Sequence, residues 1–211
     1  MKCFFAGVGV TAACLAMSTH AFADEAPENA PKPERSSSIE VALSTGPSLV
    51  FGEPAQPSSS LRRVGVFGEL AIAYRSKYFI APFLSASYAT LASGKSEVPS
   101  SPSVAGGTLD QHLGVWLFSP GITADIWRVR PRYGLGLAAV QQSFGFEGRE
   151  RSSTQFPLAH QLGLGFLLLD LDRFRLDAET RVVIIGGADV TFMTIDLVAR
   201  GDLVRFGNGG K

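Results

Sequence analysis

The 211-residue chain is poor in cysteine, in charge and in long apolar runs. Its two cysteines, Cys3 and Cys14, both lie near the N-terminus. Everything after Cys14 is therefore without a disulfide, a thiolate metal site or a cysteine nucleophile. Charged residues make up 18% of the chain, below the roughly 25% usual in soluble domains. The 19 basic and 19 acidic residues cancel, so nothing here suggests a nucleic-acid partner, which would need a basic patch. Beyond the N-terminal segment no apolar run approaches the ~20 residues of a membrane helix. Metal-ligand spacing is missing. The Gly134-Leu135-Gly136 pattern sits inside an alternating segment rather than before a helix, so it is not a phosphate loop. No catalytic, cofactor-binding or metal-binding residue is assigned, and a non-enzymatic protein is expected.

What the chain does have is alternation. The clearest case is Phe156–Ile185. Phe156, Leu158, His160, Leu162, Leu164, Phe166 and Leu168 alternate with Gln155, Ala159, Gln161, Gly163 and Gly165. After a polar turn at Asp170–Arg173, Phe174, Leu176, Ala178, Thr180, Val182 and Ile184 alternate with Arg175, Asp177, Glu179 and Arg181. A period of two separates two faces of a strand, whereas a helix would mix them. The segment predicts a long β-hairpin with one apolar face and one polar or miniature face.

In chain order, residues 1–23 predict a signal peptide: Lys2, an apolar stretch from Phe4 to Met17, and the small-x-small site Ala21-Phe22-Ala23. Residues 24–38 are rich in Pro, Glu, Ala and Ser and predict a flexible tail. Alternation begins at Ile39 and continues over Arg63–Arg75, Tyr78–Ala92, Leu109–Trp127 and from Tyr133 onward, ending near Phe206. Phe79 and Phe83 interrupt it. In the fourth run the apolar parity switches from Leu113, Val115 and Leu117 to Ile122, Ala124 and Ile126, which predicts a bulge at Ser119-Pro120-Gly121. A second bulge is expected at Gly201-Asp202. Loops are expected at Gly52–Ser60, Gly94–Gly107 and Glu147–Ser153, and tight turns at Ser76–Lys77 and Arg128–Pro131. Residues 207–211 form a C-terminal tail.

Eight amphipathic runs joined by alternating long and short connections predict an all-β, antiparallel, up-and-down eight-stranded barrel. Alternation does not say which face is inside. A transmembrane barrel turns its apolar face to lipid, and a soluble lipid-carrying barrel turns it inward. Three features favour the membrane. Small residues on the polar face (Gly65, Gly68, Gly114, Gly134, Gly136, Gly163, Gly165, Ala71, Ala73, Ser85, Ser87) make room in a narrow lumen. Aromatics cluster near the short turns: Tyr74, Tyr78, Trp127, Tyr133 and Phe174. Long loops alternate with tight turns, as suits a barrel whose turns share one membrane side. Arg63, Glu69, Asp125, Arg175, Asp177, Glu179, Arg181 and Asp196, with Arg200 and Glu40, are then expected inside, paired across a plugged lumen.

On Ala21-Phe22-Ala23, the eight amphipathic runs and the block RPRYGLGLAAV at Arg130–Val140, the stretch 39–206 resembles the small eight-stranded outer-membrane β-barrels of Gram-negative bacteria, the OmpA/OmpX type. The resemblance implies an outer-membrane location in the cell envelope. It also implies outer-membrane lipids as surroundings, the barrel assembly machinery as a partner, and an extracellular ligand for the long loops. Such barrels usually end on an aromatic residue, whereas here Phe206 is followed by Gly207–Lys211. The expected role is an envelope structural or surface-loop interaction element. The alternatives are a periplasmic lipid-carrying barrel and an outer-membrane lipid hydrolase. For the last, His160 is the one odd residue on the lipid-facing set, and no serine lies near it on that face.

Overall fold

The alternating runs form nine antiparallel strands in a computed structural model of the protein: β1 Ser37–Phe51, β2 Val64–Arg75, β3 Ile80–Val98, β4 Gly107–Ala124, β5 Val129–Phe146, β6 Arg149–Gln155, β7 Leu158–Leu171, β8 Phe174–Ile185 and β9 Val190–Phe206. The structure describes residues 37–51, 63–75, 79–98, 106–146, 149–171, 173–187 and 190–206. They lie within one compact unit, Arg35–Lys211. The expected signal peptide, most of the expected tail, the loop Gly52–Ser60, the turn Ser76–Lys77, Tyr78 and the tail 207–211 fall outside the described residues.

Sequence neighbours pair, except that β6 and β7 do not pair with each other but both pair with β5; β9 pairs with β1, so the pairings run in a closed circuit. Eight positions in that circuit hold nine strands. β5 is flanked on one side by β4 and on the other by β6 over Val140–Phe146 and by β7 over Val129–Leu137. β6 falls where a loop was expected and β7 in the expected hairpin; the two are separated at Phe156-Pro157, where proline has no N–H for a ladder. The circuit is uneven: the β2–β3 ladder covers only Phe67↔Ala89 to Ala73↔Phe83, while β3–β4 runs from Ile80↔Ala124 to Val98↔Gly107.

Several boundaries differ from expectation. Ser37 and Ser38 belong to β1, not to a tail, and Gly94–Val98 and Arg149–Ser153 are strand, not loop. Polar residues lengthen β3, β4, β5 and β6 past the apolar run, where composition alone reads as a loop. The turn expected at Arg128–Pro131 lies earlier: Ile126 and Val129 exchange two backbone hydrogen bonds of 2.9 Å around Trp127-Arg128. Trp127 takes a left-handed φ of 54° there. The bulge expected at Ser119-Pro120-Gly121 is absent: β4 keeps one parity, with Leu113, Val115, Leu117 and Ser119 buried and Trp116, Phe118 and Ile122 exposed. Both faces are apolar over this stretch, so hydrophobicity could not report which way a residue points. Register shifts occur instead with Leu91, Leu168 and Leu203 as the extra residues. The last is one position beyond the expected Gly201-Asp202.

The polarity is inverted relative to a soluble barrel. Outward side chains are apolar and open: Val66 is 64% exposed, Leu84 62%, Leu158 59% and Leu137 57%. Inward, Arg181 is 0% exposed and Glu40, Glu179 and Asp196 2% each. The interior has two storeys. Toward the tight turns it is charged. Toward the long connections it is an apolar core of Phe67, Leu91, Leu113, Val115, Leu117, Val183, Ile185 and Phe192. Two of the small residues expected inside, Gly68 and Gly114, pair with the outward Tyr88 and Thr90 and face out.

Glycine permits two close approaches where proline breaks a ladder. The β4–β5 pairing skips Ser119 and Pro120, and a Cβ on Gly136 would lie 2.1 Å from the Phe118 carbonyl oxygen. The β1–β9 pairing skips Gly46 and Pro47, and a Cβ on Gly46 would lie 2.0 Å from the Ile195 carbonyl oxygen. Backbone cannot swing aside as a side chain can. Gly136→Ala should therefore destabilise the folded protein by about 1–3 kcal/mol or more. Gly145→Ala, whose Cβ would meet only the Asp110 Cβ at 3.5 Å, should be nearly neutral. Urea unfolding of both variants in detergent checks the contrast, and equal midpoints would contradict it.

Candidate functional site

The charged storey is the most organised cluster of polar chemistry in the fold. The period-two rule aims Arg175, Asp177, Glu179 and Arg181 of β8 inward, and the register sets β9 Asp196 opposite Glu179 and Arg200 opposite Arg175. β1 adds Glu40 and Ser44, β2 Glu69 and Arg75, β5 Arg130 and Arg132, and the residue after β4 is Asp125. Small inward residues on neighbouring strands leave space for these long side chains. A Cβ on Gly163 would come 2.9 Å from Glu179 Oε1, so the carboxylate occupies the room the glycine leaves.

Arg181 is the hub. Its Nη1 lies 2.7 Å from Glu69 Oε2, its Nε 2.8 Å from Glu179 Oε1 and 3.3 Å from Asp196 Oδ2. Its Nη2 donates to Ser44 Oγ at 3.1 Å, and the guanidinium stands 5.0 Å from the centre of the Phe67 ring. Arg132 grips Glu69 with both terminal nitrogens, at 2.7 and 2.9 Å, and lies 4.0 Å over Phe83. That contact explains why Phe83 breaks the sequence alternation: it faces in as the floor for a cation. Nearer the turns, Arg200 donates to Asp177 and to Glu179 Oε2 at 3.1 Å. Arg130 reaches Glu40 at 3.0 Å and Asp125 at 3.1 Å. Arg75 and Arg175 lie 3.2 and 4.0 Å from Asp125.

The cluster holds six carboxylates (Glu40, Glu69, Asp125, Asp177, Glu179, Asp196) against six guanidiniums (Arg75, Arg130, Arg132, Arg175, Arg181, Arg200), and every cation is arginine. A planar fork can serve several carboxylates at once, which a lysine ammonium does less well. Arranged this way, the groups cross-link β1, β2, β5, β8 and β9 through the lumen and fill it.

Of the residues expected inside, Glu40, Glu69, Asp125, Arg175, Asp177, Glu179, Arg181, Asp196 and Arg200 are there. Arg63 is not: it precedes β2, is exposed, and its carbonyl accepts from the Val50 N–H at 3.1 Å. Arg75, Arg130 and Arg132 are the members that sequence reasoning missed. Arg130 and Arg132 share parity with Gly134 and Gly136, a signal that the misplaced turn at Arg128–Pro131 hid.

On the outer wall, His160 is exposed beside Tyr133, whose hydroxyl is 3.2 Å from His160 Nδ1. The register explains the meeting, because Tyr133 pairs with Leu162 and Leu135 with His160. The partner expected of a histidine on an apolar face is thus a tyrosine of the adjacent strand. Tyr74, Trp127 and Phe174 are exposed at the turn end, as the sequence indicated. A second aromatic level stands toward the long connections, where Tyr88 and Trp116 pack with ring centres 4.6 Å apart.

No family model matches the chain, and no curated protein matches it. Among solved structures it is similar to small outer-membrane β-barrels. Ail, the attachment invasion locus protein of Yersinia pestis, is 17% identical over 79% of this chain and 96% of its own, with a TM-score of 0.49. Neisserial surface protein A is 14% identical over 80% of this chain and 100% of its own, also at 0.49. The N-terminal β-barrel domain of Pseudomonas aeruginosa OprF is 12% identical over 76% and 96%, at 0.41.

Glu69 joins Arg132 to Arg181, so Glu69→Ala should leave two buried guanidiniums short of charge and cost about 3–5 kcal/mol. Glu179→Ala should cost a similar amount, since it faces Arg181 and Arg200. Arg63→Ala, outside the cluster, should stay within about 0.5 kcal/mol of the parent. Equilibrium unfolding in lipid vesicles checks the order, and an Arg63 effect as large as that of Glu69 would refute it.

Proposed function

We propose that the chain is a non-enzymatic outer-membrane β-barrel protein that serves as an envelope structural or surface-loop interaction element. The observation that carries this is the inverted polarity, with a largely apolar exterior around an interior whose buried charges neutralise one another. In water such an exterior would associate; in a bilayer it is solvated by acyl chains. The dimensions agree. Outward apolar positions on β5 run from Val129 to Ala139, ten steps, or about 33 Å of strand. At a tilt of about 40° that spans about 25 Å, the height of a barrel's apolar band. Aromatics at both ends of the band suit interfacial anchoring.

In this proposal residues 1–23 direct export, the stretch from 24 to the start of β1 forms a periplasmic tail, and 37–206 form the barrel. Phe206 serves as the aromatic read by the assembly machinery. The tight turns at Trp127-Arg128 and after Leu171 face the periplasm, and the β3–β4 and β5–β6 connections face outward. An extracellular ligand would meet the protein there. The filled lumen supports a barrel without an open pore.

Two measurements test the proposal. The mature protein should require detergent, shift in gel mobility on heating and give no steady conductance in planar bilayers. A detergent-free monodisperse protein, or a stable single-channel current, would overturn it. Leu135→Arg, mid-band, should cost about 2–4 kcal/mol in lipid, and Tyr74→Arg at the turn end about 0–1. Equal costs would contradict the membrane depth assigned to these positions.

A further inference from the structure

β3, β4, β5 and β6 continue past the apolar band as a polar wall, and the outer face of that wall is concave. A cavity of about 640 Å³ opens there, bordered by Asp110, His112, Ser143, Gly145, Arg149 and Glu150 among others. Cross-strand register builds it in two rows. His112 pairs with Ser143, which pairs with Ser152. Asp110 pairs with Gly145, which pairs with Glu150. Residues paired across strands share a face, and on β4 Asp110 and His112 share parity with the exposed Trp116. Gly145 therefore leaves a gap one strand wide between two carboxylates. Lys95 approaches Asp110 from the neighbouring strand, at 3.5 Å.

The lining selects among ligands. It mixes acceptors with donors, and both signs of charge, and its named members include no large apolar side chain. A phosphate would face two carboxylates. Among the described residues no group of three His, Asp or Glu side chains is arranged to hold a metal ion. A polyhydroxylated ring fits: its hydroxyls donate to Asp110 and Glu150 while accepting from Arg149, His112 or Ser143, and it lies over the bare Gly145 floor. Such a volume is within the usual range of small-molecule sites. The level is informative too. His112 stands four residues beyond Trp116, about 13 Å along the strand from the aromatic pair that ends the apolar band.

We infer that this concavity binds the sugar headgroup of a glycolipid in the surrounding leaflet. The inference rests on the membrane proposal above for its source of ligand, and on the cavity alone for its chemistry.

The test uses the folded chain in phosphatidylcholine nanodiscs, with and without glycolipid extracted from the envelope of the producing bacterium. Backbone amide shifts of Ser143 and Gly145 are the readout. Saturable shifts are expected only in the glycolipid discs. Asp110→Asn should weaken them about tenfold, the effect of one lost hydrogen bond to a charged group. Gly145→Leu, which fills the floor from the solvent side, should abolish them while keeping the parent's heat-dependent gel shift. The oligosaccharide released from the same glycolipid, added free, separates the sources: equal shifts support a saccharide site that also takes soluble sugar. No shift with either probe, the same shift with inorganic phosphate alone, or an undiminished response in Gly145→Leu would overturn the inference. Failure of the membrane proposal is read separately, as failure of the chain to enter discs, and the free oligosaccharide still tests the site in that case.

Discussion

A buried charge must meet its opposite, and that constraint organises this structure. Arg181 sits in the middle of the interior with no exposure and touches Glu69, Glu179 and Asp196, each from a different strand. Such pairs contribute little net stability compared with a well-packed apolar core, because desolvation offsets most of the attraction. Their strength lies in exclusion. Any register in which β8 slips by one residue turns four charges outward and brings Phe174, Leu176, Ala178, Val182 and Ile184 inward. The cluster therefore selects one alignment among many that would satisfy the backbone ladders equally well.

The apolar storey contributes differently. Phe67, Leu117, Val183, Ile185 and Phe192 pack as in an ordinary core, and they close the lumen at the end facing the long connections. Phe67 belongs to both storeys, since its ring also faces Arg181. Small residues and large ones complement each other across the lumen in both halves. The glycines near the prolines serve the backbone instead. Gly46 and Gly136 let strands pinch where Pro47 and Pro120 remove a ladder N–H, so the circuit bends without steric conflict.

The fold was legible because period-two alternation reports burial on two faces, and β8 shows it without ambiguity: Arg175 to Arg181 on one side, Phe174 to Ile184 on the other. That the charges of β8 would meet Glu69, Asp125 and Asp196 inside followed from parity and charge; which guanidinium faces which carboxylate did not. Legibility failed where that signal degenerates. In β4, Leu113 to Phe118 are apolar on both sides because this stretch spans the apolar storey and the outer band together. In β6, every side chain is exposed, so its strand character left no hydrophobic trace. Arg130 and Arg132 were hidden by a turn displaced by only a few residues. The Tyr133–His160 contact depends on the β5–β7 register, which no local pattern encodes.

The charged storey has a consequence for how such a chain could enter a bilayer. β8 carries Arg175, Asp177, Glu179 and Arg181 on one face. Were it to insert alone, each of these would meet acyl chains at a cost of roughly 2.5–3.5 kcal/mol at mid-depth. Its neutralising partners arrive from β1, β2, β5 and β9, which are dispersed over nearly the whole chain. Even the β8–β9 hairpin, neutral in sum, leaves Arg181 without Glu69 and Arg175 without Asp125, so threading one hairpin at a time is costly. The strands are better gathered and their charges matched before or during entry, with the β1–β9 seam joining the first strand to the last. For a proteolytic or stalled fragment the implication is immediate: without either end of the chain, the remainder exposes unmatched charge and has no stable place in the membrane.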